Sequence, residues 1–463
     1  MTILVLDLGS SSVRALLFDE DANLQAQSTR RRPFTTTPPG AATFDAAEIQ
    51  ARVESCIDEI LQNPQAKEIR AFGMDTFVGN LLGVDMQGKA VTPVYAYADT
   101  RSAEDVATLA KQIDLEAAHQ RTGCVHHTAY HPGRLHWLRR TDPGLFARVA
   151  QWIDLGTYLY RQWFGDAPCS FSVASWSGLL NREKLDWDDQ WLEVLKLSKS
   201  TLPLLADYSA GCSGLLPDYA KRWSALCDVP FFLAVGDGAA ANVGSGCVEP
   251  TQIALSVGTT AALRTVSTEK LPPVPHGLWS YRIKADLHLI GGATSEGGNI
   301  FEWAKETLVL PADAEAQLAQ RAPDEHGLTF LPLLAGERSP GWAVNASGTI
   351  DGLRMSTMPL DILQAALEGV ALRLAIIAEQ LGGDGAVVAS GGALDRSPAW
   401  RQMIANALNR PIQFAGDSEI TARGAAILAL STVSKHPLSG YPPKITDTHQ
   451  PQSAAVDKLR PRE

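Results

Sequence analysis

Ile3-Leu4-Val5-Leu6-Asp7-Leu8-Gly9-Ser10-Ser11-Ser12-Val13-Arg14-Ala15-Leu16-Leu17-Phe18 sets two apolar runs about a short polar turn. Branched aliphatics bounded by turn residues predict a buried strand, so the stretch predicts a strand–turn–strand hairpin. Gly9 allows close backbone approach at the turn, and three hydroxyls follow it. Backbone N–H groups and Ser hydroxyls presented together suit phosphate oxygens. The Asp7 carboxylate beside them makes sense if a cation accompanies that anion. A solvated hairpin turn is the other reading of these residues, and the segment alone does not separate the two.

Further along, the pattern restarts. Ala254-Leu-Ser-Val-Gly258-Thr259-Thr260-Ala-Ala-Leu-Arg264 repeats the strand, glycine–hydroxyl turn and strand, with Gly258 in the place of Gly9. Val387-Val-Ala-Ser-Gly391-Gly392-Ala393 resembles Leu233-Ala-Val-Gly236-Asp237-Gly238 as strand, glycine turn and helix. Two matches in the same order predict a duplicated α/β domain, with the ligand in the cleft between the copies. On this matching the first half is longer by roughly ninety residues. The excess falls in a helical segment, 101–208, that carries Trp137, Trp152, Trp163, Trp176, Trp187 and Trp191. An insertion of that size beside one copy's site predicts a substrate-recognition subdomain. Asp7 has no carboxylate twin, since Ser256 takes its place. The repeat is therefore chemically asymmetric.

The chain has 463 residues, 45% hydrophobic and 20% charged, which suits a soluble globular protein of two or three domains. Its formal net charge of −11 argues against nucleic acid or an anionic membrane as the main partner. No apolar run approaches the roughly 18 residues of a membrane span, and the N-terminus enters a strand pattern directly. Six scattered cysteines without a C-x-x-C pair are expected to be reduced thiols in the cytoplasm.

Asp45-Ala-Ala-Glu48 predicts a helix start, continued at helical period by Ile49, Val53, Ile57 and Ile60. Ile69 to Asp75 predicts a strand delivering polar residues at its end. Gly83 to Lys89 has the spacing of a Walker A loop, but Ala90 replaces the hydroxyl residue and no helix follows, so a hairpin turn is expected. Pro359 to Leu381 predicts a long helix stopped by Gly382-Gly383, and Thr421 to Leu430 a short one in which Gly424 permits close packing. The last twenty or so residues predict a frayed tail. No G-x-G-x-x-G in a strand–helix context and no G-x-S-x-G elbow occurs, which speaks against dinucleotide binding and serine hydrolysis.

Asp7-Leu-Gly-Ser-Ser, Asp99-Thr-Arg101, Thr122-Gly123, Gly236-Asp237-Gly238, Gly258-Thr259-Thr260, Gly291-Gly-Ala and Gly391-Gly392-Ala393 occur in the order found in FGGY-type carbohydrate kinases. Gly348 to Leu353, with Asp361 to Glu368, resembles that family's C-terminal motif, so the resemblance runs to about Leu430. It implies an α/β fold of two ribonuclease-H-like domains of the actin and hexokinase superfamily closing on ATP and a sugar. The expected division is 1–248 with the insertion at 101–208, 249–435 binding the nucleotide, and a polar tail 436–463. The resemblance makes Asp237 the general base on the attacking sugar hydroxyl, a role worth roughly 10²–10⁴-fold; a helix N-cap is its structural alternative. It carries ATP to Gly9, Ser10, Ser11, Ser12, Gly258, Thr259, Thr260, Gly298, Glu302, Gly391, Gly392 and Arg396. Mg²⁺ goes to Asp7 and Asp237. Phosphoryl transfer needs mainly positioning and charge neutralisation, so this sparse set suffices. A homodimer is the assembly expected.

For the sugar, Gly336-Glu337-Arg338-Ser339-Pro340-Gly341-Trp342, Glu296 to Asn299 and Thr122 to His127 look most like the gluconate-kinase branch. Where xylulose kinases carry Met-His, this chain has Val78-Gly79, with Asp75-Thr76 just upstream, and Arg134 stands for an expected lysine. Expected substrate contacts are Asp75, Thr76, Asp99, Arg101, His127, Arg134 and Asp237. A sugar carboxylate would want Arg134 or Arg101, whereas Asp75 suits neutral hydroxyls. Gluconate is the lean, a pentulose such as xylulose or ribulose the alternative, and a chaperone-like ATPase or regulatory sugar-binding protein the reading from another class. His126, His127, His131 and His136 match no common zinc spacing, and packing or substrate contact is expected of them.

Overall fold

The computed structural model describes residues 1–31, 35–343, 345–417 and 419–459. Residues 32–34 of the polar connection after the opening hairpin, and the last four of the tail, lie outside that set.

The opening stretch is the predicted hairpin. β1 (Thr2–Leu8) and β2 (Ser12–Phe18) pair antiparallel, with Asp7 opposite Arg14. Every residue of β1 is buried, Asp7 included, as befits a mostly apolar central strand. β3 (Leu24–Arg31) extends the sheet on one side. α1 (Ala46–Ile60) starts at Asp45, whose carboxylate accepts from the Glu48 N–H, and buries Ile49, Val53, Ile57 and Ile60. β4 (Ile69–Thr76) lies parallel to β1, and β5 (Val235–Gly236) parallel to β4, giving the order β5-β4-β1-β2-β3. Only the end of the apolar run Phe231 to Val235 joins the ladder regularly. α2 (Asp237–Gly244) follows β5 at once.

The second half repeats this arrangement. β6 (Ile253–Val257) and β7 (Ala261–Ser267) make the second hairpin, followed by β8 (Trp279–Lys284), β9 (Leu287–Thr294) and α3 (Asn299–Thr307). α4 (Pro359–Leu381) leads to β10 (Val387–Ser390), α5 (Pro398–Leu408), β11 (Ile412–Ala415) and α6 (Ile420–Ser434). The sheet is completed by β12 (Ile445–His449), in the order β8-β9-β7-β6-β10-β11-β12.

Strand order corrects one expected correspondence. β10 lies parallel beside β6 as β4 lies beside β1, so the twin of β5 is β11. The counterpart of Ala234-Val235-Gly236-Asp237 is therefore Phe414-Ala415-Gly416-Asp417, and Gly391-Gly392 answers to the turn after Thr76. On this matching the first half's excess shrinks to about seventy residues. The helices after the twin strands, α2 and α6, meet backbone to backbone. A methyl on Gly424 would stand 1.8 Å from the Ala240 carbonyl, and one on Gly244 1.8 Å from that of Ile420. α6 is longer than Thr421 to Leu430 and crosses beneath β4 and β1, which explains its apolar character on all sides.

The end of the chain is a second correction. β12 pairs antiparallel with β11, and α7 (Ser453–Leu459) buries Ala455, Val456 and Leu459. The strand is polar because it is an edge, covering β11 while its own outer face meets water.

Segment 101–208 is rich in short helices, pairs through Gln151–Ile153 with Leu82–Val84, and docks on the second sheet. The Ser280 N–H of β8 donates to the Gly123 carbonyl at 2.9 Å, and that of Arg282 to Ser175 Oγ at 2.9 Å. Gly83 to Lys89 is a turn closed by Asp85 N–H to the Lys89 carbonyl at 2.9 Å, with no helix following.

Candidate active site

The carboxyl ends of β1, β4 and β5 bring three acids together. Asp7 and Asp75 are in register on neighbouring parallel strands, and Asp237 lies two residues beyond Val235, the partner of Asp75 on β5. Asp7 is buried and pairs with Arg14 at 2.5 Å; Arg14 also pairs with Glu419, just ahead of α6. Asp75 has no exposed surface. Burial and the neighbouring Asp7 charge hold it well above the usual carboxylate range.

Asp237 is the first residue of α2, and the cap position belongs to Gly236, so the N-cap alternative does not describe it. Its Oδ1 accepts from the Gly238 N–H at 2.8 Å. Burial pushes its carboxyl up to about 6, opposed by the positive charge of Arg264. Arg264 comes from β7 of the other half. Its Nη1 donates diagonally to Ser256 Oγ at 3.1 Å, Arg264 facing Ala254 and Ser256 facing Ala262 where Asp7 faces Arg14 directly in the first hairpin. The Arg264 charge stands beside Asp237.

Asp237 and Arg264 share a cavity of about 190 Å³ between the halves, room for a small sugar rather than a nucleotide. Its aromatic wall is built from both sides: Trp176 of the insertion stacks on Tyr281 of β8 at 3.6 Å, and Trp279 on Tyr281 at 4.5 Å. Tyr97, Gly79, Thr260, Arg338 and Trp342 close the rest.

Most of the expected substrate contacts sit elsewhere. Asp75 and Thr76 lie beneath the site, fully enclosed, and Thr76 Oγ1 donates to the Phe77 carbonyl. Asp99 and Arg101 pair with each other at 2.6 Å, and Arg101 lies over the Trp137 ring at 4.6 Å. Arg134 is 1% exposed and spent on the carbonyls of Gly79 at 2.7 Å, Ala96 at 2.8 Å and Thr128 at 3.2 Å. It shapes the wall at Gly79 and offers the cavity no charge. His127 stands behind Trp342, ring centres 5.2 Å apart, and burial with the Arg338 charge brings it down to about 4. His126, His131 and His136 bond the Val106 carbonyl, the Asn80 carbonyl and Asp105.

The expected nucleotide residues of the second half form one continuous edge. Gly298 is wedged under the second hairpin: its N–H donates to the Gly258 carbonyl at 2.7 Å, and a methyl there would stand 2.8 Å from the Ala393 side chain. Gly391 takes φ 111° with its Cα against the Val257 carbonyl, where a methyl would come to 2.3 Å, so only glycine fits. Gly392 and Arg396 continue the edge, Thr259 and Thr260 are exposed on it, and Glu302 in the first turn of α3 pairs with Lys305 in its last. Gly9, Ser10, Ser11 and Ser12 make the turn of the first hairpin across the cleft.

Among the described residues no group of three or more His, Cys, Asp or Glu side chains is arranged to cage a metal. A magnesium ion delivered with phosphate needs only one or two protein carboxylates, and Asp7 with Asp237 fits that donor set. Four residues that line the cavity, Arg264, Arg338, Trp176 and Tyr281, are absent from the expected contacts. Arg264 was visible as the last residue of the repeated hairpin, and Arg338 within Gly336 to Trp342.

Residues 2–244 match the N-terminal domain, and residues 253–433 the C-terminal domain, of the FGGY family of carbohydrate kinases. A gluconokinase of Bacillus subtilis is 26% identical over 451 residues, spanning 94% of this chain and 88% of the relative. A xylulose kinase of Escherichia coli is 27% identical over 434 residues, spanning 92% and 88%. The crystal structure of a gluconate kinase from Lactobacillus acidophilus superposes with a TM-score of 0.92 at 26% identity, covering 99% of this chain and 96% of that one. Both domains being matched in order over nearly the whole length, the chain belongs to the FGGY family of carbohydrate kinases, enzymes that transfer phosphate from ATP to a sugar.

Proposed function

We propose that this kinase phosphorylates a hydroxyl of a small sugar acid, gluconate being the favoured acceptor, with Asp237 as the general base. The observation that carries the reading is the Asp237 carboxyl itself. It sits at a strand end inside a sugar-sized cavity, with its proton affinity moved toward neutrality by burial. A base poised there is ionised at working pH and still basic enough to take the hydroxyl proton as the oxygen attacks. The backbone N–H groups and hydroxyls of Gly9 to Ser12 and of Gly258 to Thr260 cradle the phosphates from the two sides, and Gly298, Gly391, Gly392 and Arg396 receive the nucleoside end. Asp7, oriented by Arg14, would hold Mg²⁺ with Asp237 nearby, and the ion would supply neutralisation of the developing phosphate charge. All six cysteines are free, which supports a reducing, cytoplasmic setting.

Similarity to gluconokinase supports the acid. A pentulose such as xylulose is the second reading, supported by the comparable similarity to xylulose kinase. Acceptor-stimulated ADP release across sugar acids, polyols and ketoses tests the reading. Release dependent on gluconate is expected; ATP hydrolysis indifferent to every acceptor would overturn it.

A further inference from the structure

Charge in the cavity is out of balance. Its wall carries one carboxylate, Asp237, and two guanidiniums, Arg264 and Arg338. Arg264 has Ser256 Oγ on one nitrogen, while its Nε is buried without an acceptor among the described residues. Arg338 is half-buried, lies 6.0 Å from the Trp342 ring centre, and has no hydrogen-bond acceptor or carboxylate partner among the described residues. The nearest acid in sequence, Glu337, is instead taken by Arg373, which also holds the Ser339 carbonyl at 3.2 Å. A half-buried guanidinium without a carboxylate partner is free to take one from a ligand. The cavity thus has room for one more negative charge, supplied by its occupant.

We propose that Arg338 binds the carboxylate of the acceptor and so selects an aldonic acid over a neutral polyol or ketose. The assignment rests on the kinase reading above and names the residues that choose its substrate class. Arg338 lies on the second half and Asp237 on the first, so an acceptor held at its carboxylate end by Arg338 lays its hydroxyl chain across the cleft toward the base. Trp176 and Tyr281 supply the apolar face along which the carbon chain lies. Arg338 needs no rearrangement of an existing ion pair to take the ligand. Arg101 and Arg134 would have to abandon Asp99 and three carbonyls respectively.

The test compares gluconate with D-glucitol, which keeps the hydroxyl chain and replaces the carboxylate by a carbinol, using the full-length enzyme with ATP and Mg²⁺. The ratio of their kcat/KM values should favour gluconate by about tenfold or more in the wild type, as expected for a charge-assisted contact. It should fall by about tenfold in Arg338→Met and recover in part in Arg338→Lys. A ratio in Arg338→Met within about twofold of the wild type would overturn the assignment. So would a wild-type enzyme that prefers glucitol or xylulose to gluconate. Calorimetry on the wild type should show tighter binding of gluconate than of glucitol without recourse to any variant, and equal Kd values would count against the assignment. ADP release unresponsive to every acceptor, with ATP still bound, would instead remove the kinase reading on which the assignment rests.

Discussion

The guanidinium of Arg264, carried by the second half of the chain, stands beside the carboxyl of Asp237, carried by the first. Burial raises Asp237 and this charge opposes the rise, so the proton affinity of the base depends on both halves. For kcat/KM, the account predicts a fall with unit slope below about pH 6. Arg264→Leu should move that limb upward by roughly half a unit or more. The pH–rate profiles of the two proteins check both statements. A limb near pH 4, in the ordinary carboxylate range, would contradict them.

The same shift has a consequence for stability. With its pKa raised on folding, the Asp237 carboxyl holds a proton more tightly in the native state than in the unfolded one. Its contribution is complete below about pH 4 and is lost as pH rises through about 6. Asparagine does not titrate. Asp237→Asn should therefore be more stable than the wild type by about 1–2 kcal/mol at pH 8, with the difference vanishing near pH 4. Urea unfolding at the two pH values measures it.

Gly424 and Gly244 let α2 and α6 touch at the backbone, 1.8 Å being no distance at which a methyl fits. Gly424→Ala must push the helices apart beneath both sheets. A loss of about 3 kcal/mol or more is expected, with the melting temperature reporting it. Gly382→Ala, at a position where a methyl meets nothing within 4 Å but φ is 70°, should cost less, since only backbone strain is involved.

Ending the chain at Lys444 should uncover β11 and the surface on which Ala455, Val456 and Leu459 pack. The shortened protein is expected to melt earlier and to self-associate through the bared strand edge. Light scattering on warming distinguishes this from a tail without a structural role, which would leave both properties unchanged.

How far the sequence could be read depended on whether a feature was local. The two hairpins were legible because strand, turn and hydroxyls are contiguous in Ile3 to Phe18 and again in Ile253 to Arg264. The twin of Asp237 was not, because Val387 to Gly392 and Phe414 to Asp417 both read as strand and glycine turn. Only the ladder partners, β6 for one and β10 for the other, tell them apart. Arg134 and Arg338 illustrate the same limit in the site. Both are arginines beside glycine-rich motifs, yet packing commits the first to three carbonyls and leaves the second facing the cavity. The tail misled because an edge strand is polar for the same reason a disordered segment is: its side chains meet water.

The central claim is that Asp237 takes the proton from the acceptor hydroxyl, and acceptor-dependent ADP release by Asp237→Asn tests it most directly. The account predicts a fall in kcat of roughly 10²–10⁴-fold while ATP still binds, since the residues proposed to hold the nucleotide are others. Turnover within a few-fold of the wild type would contradict it.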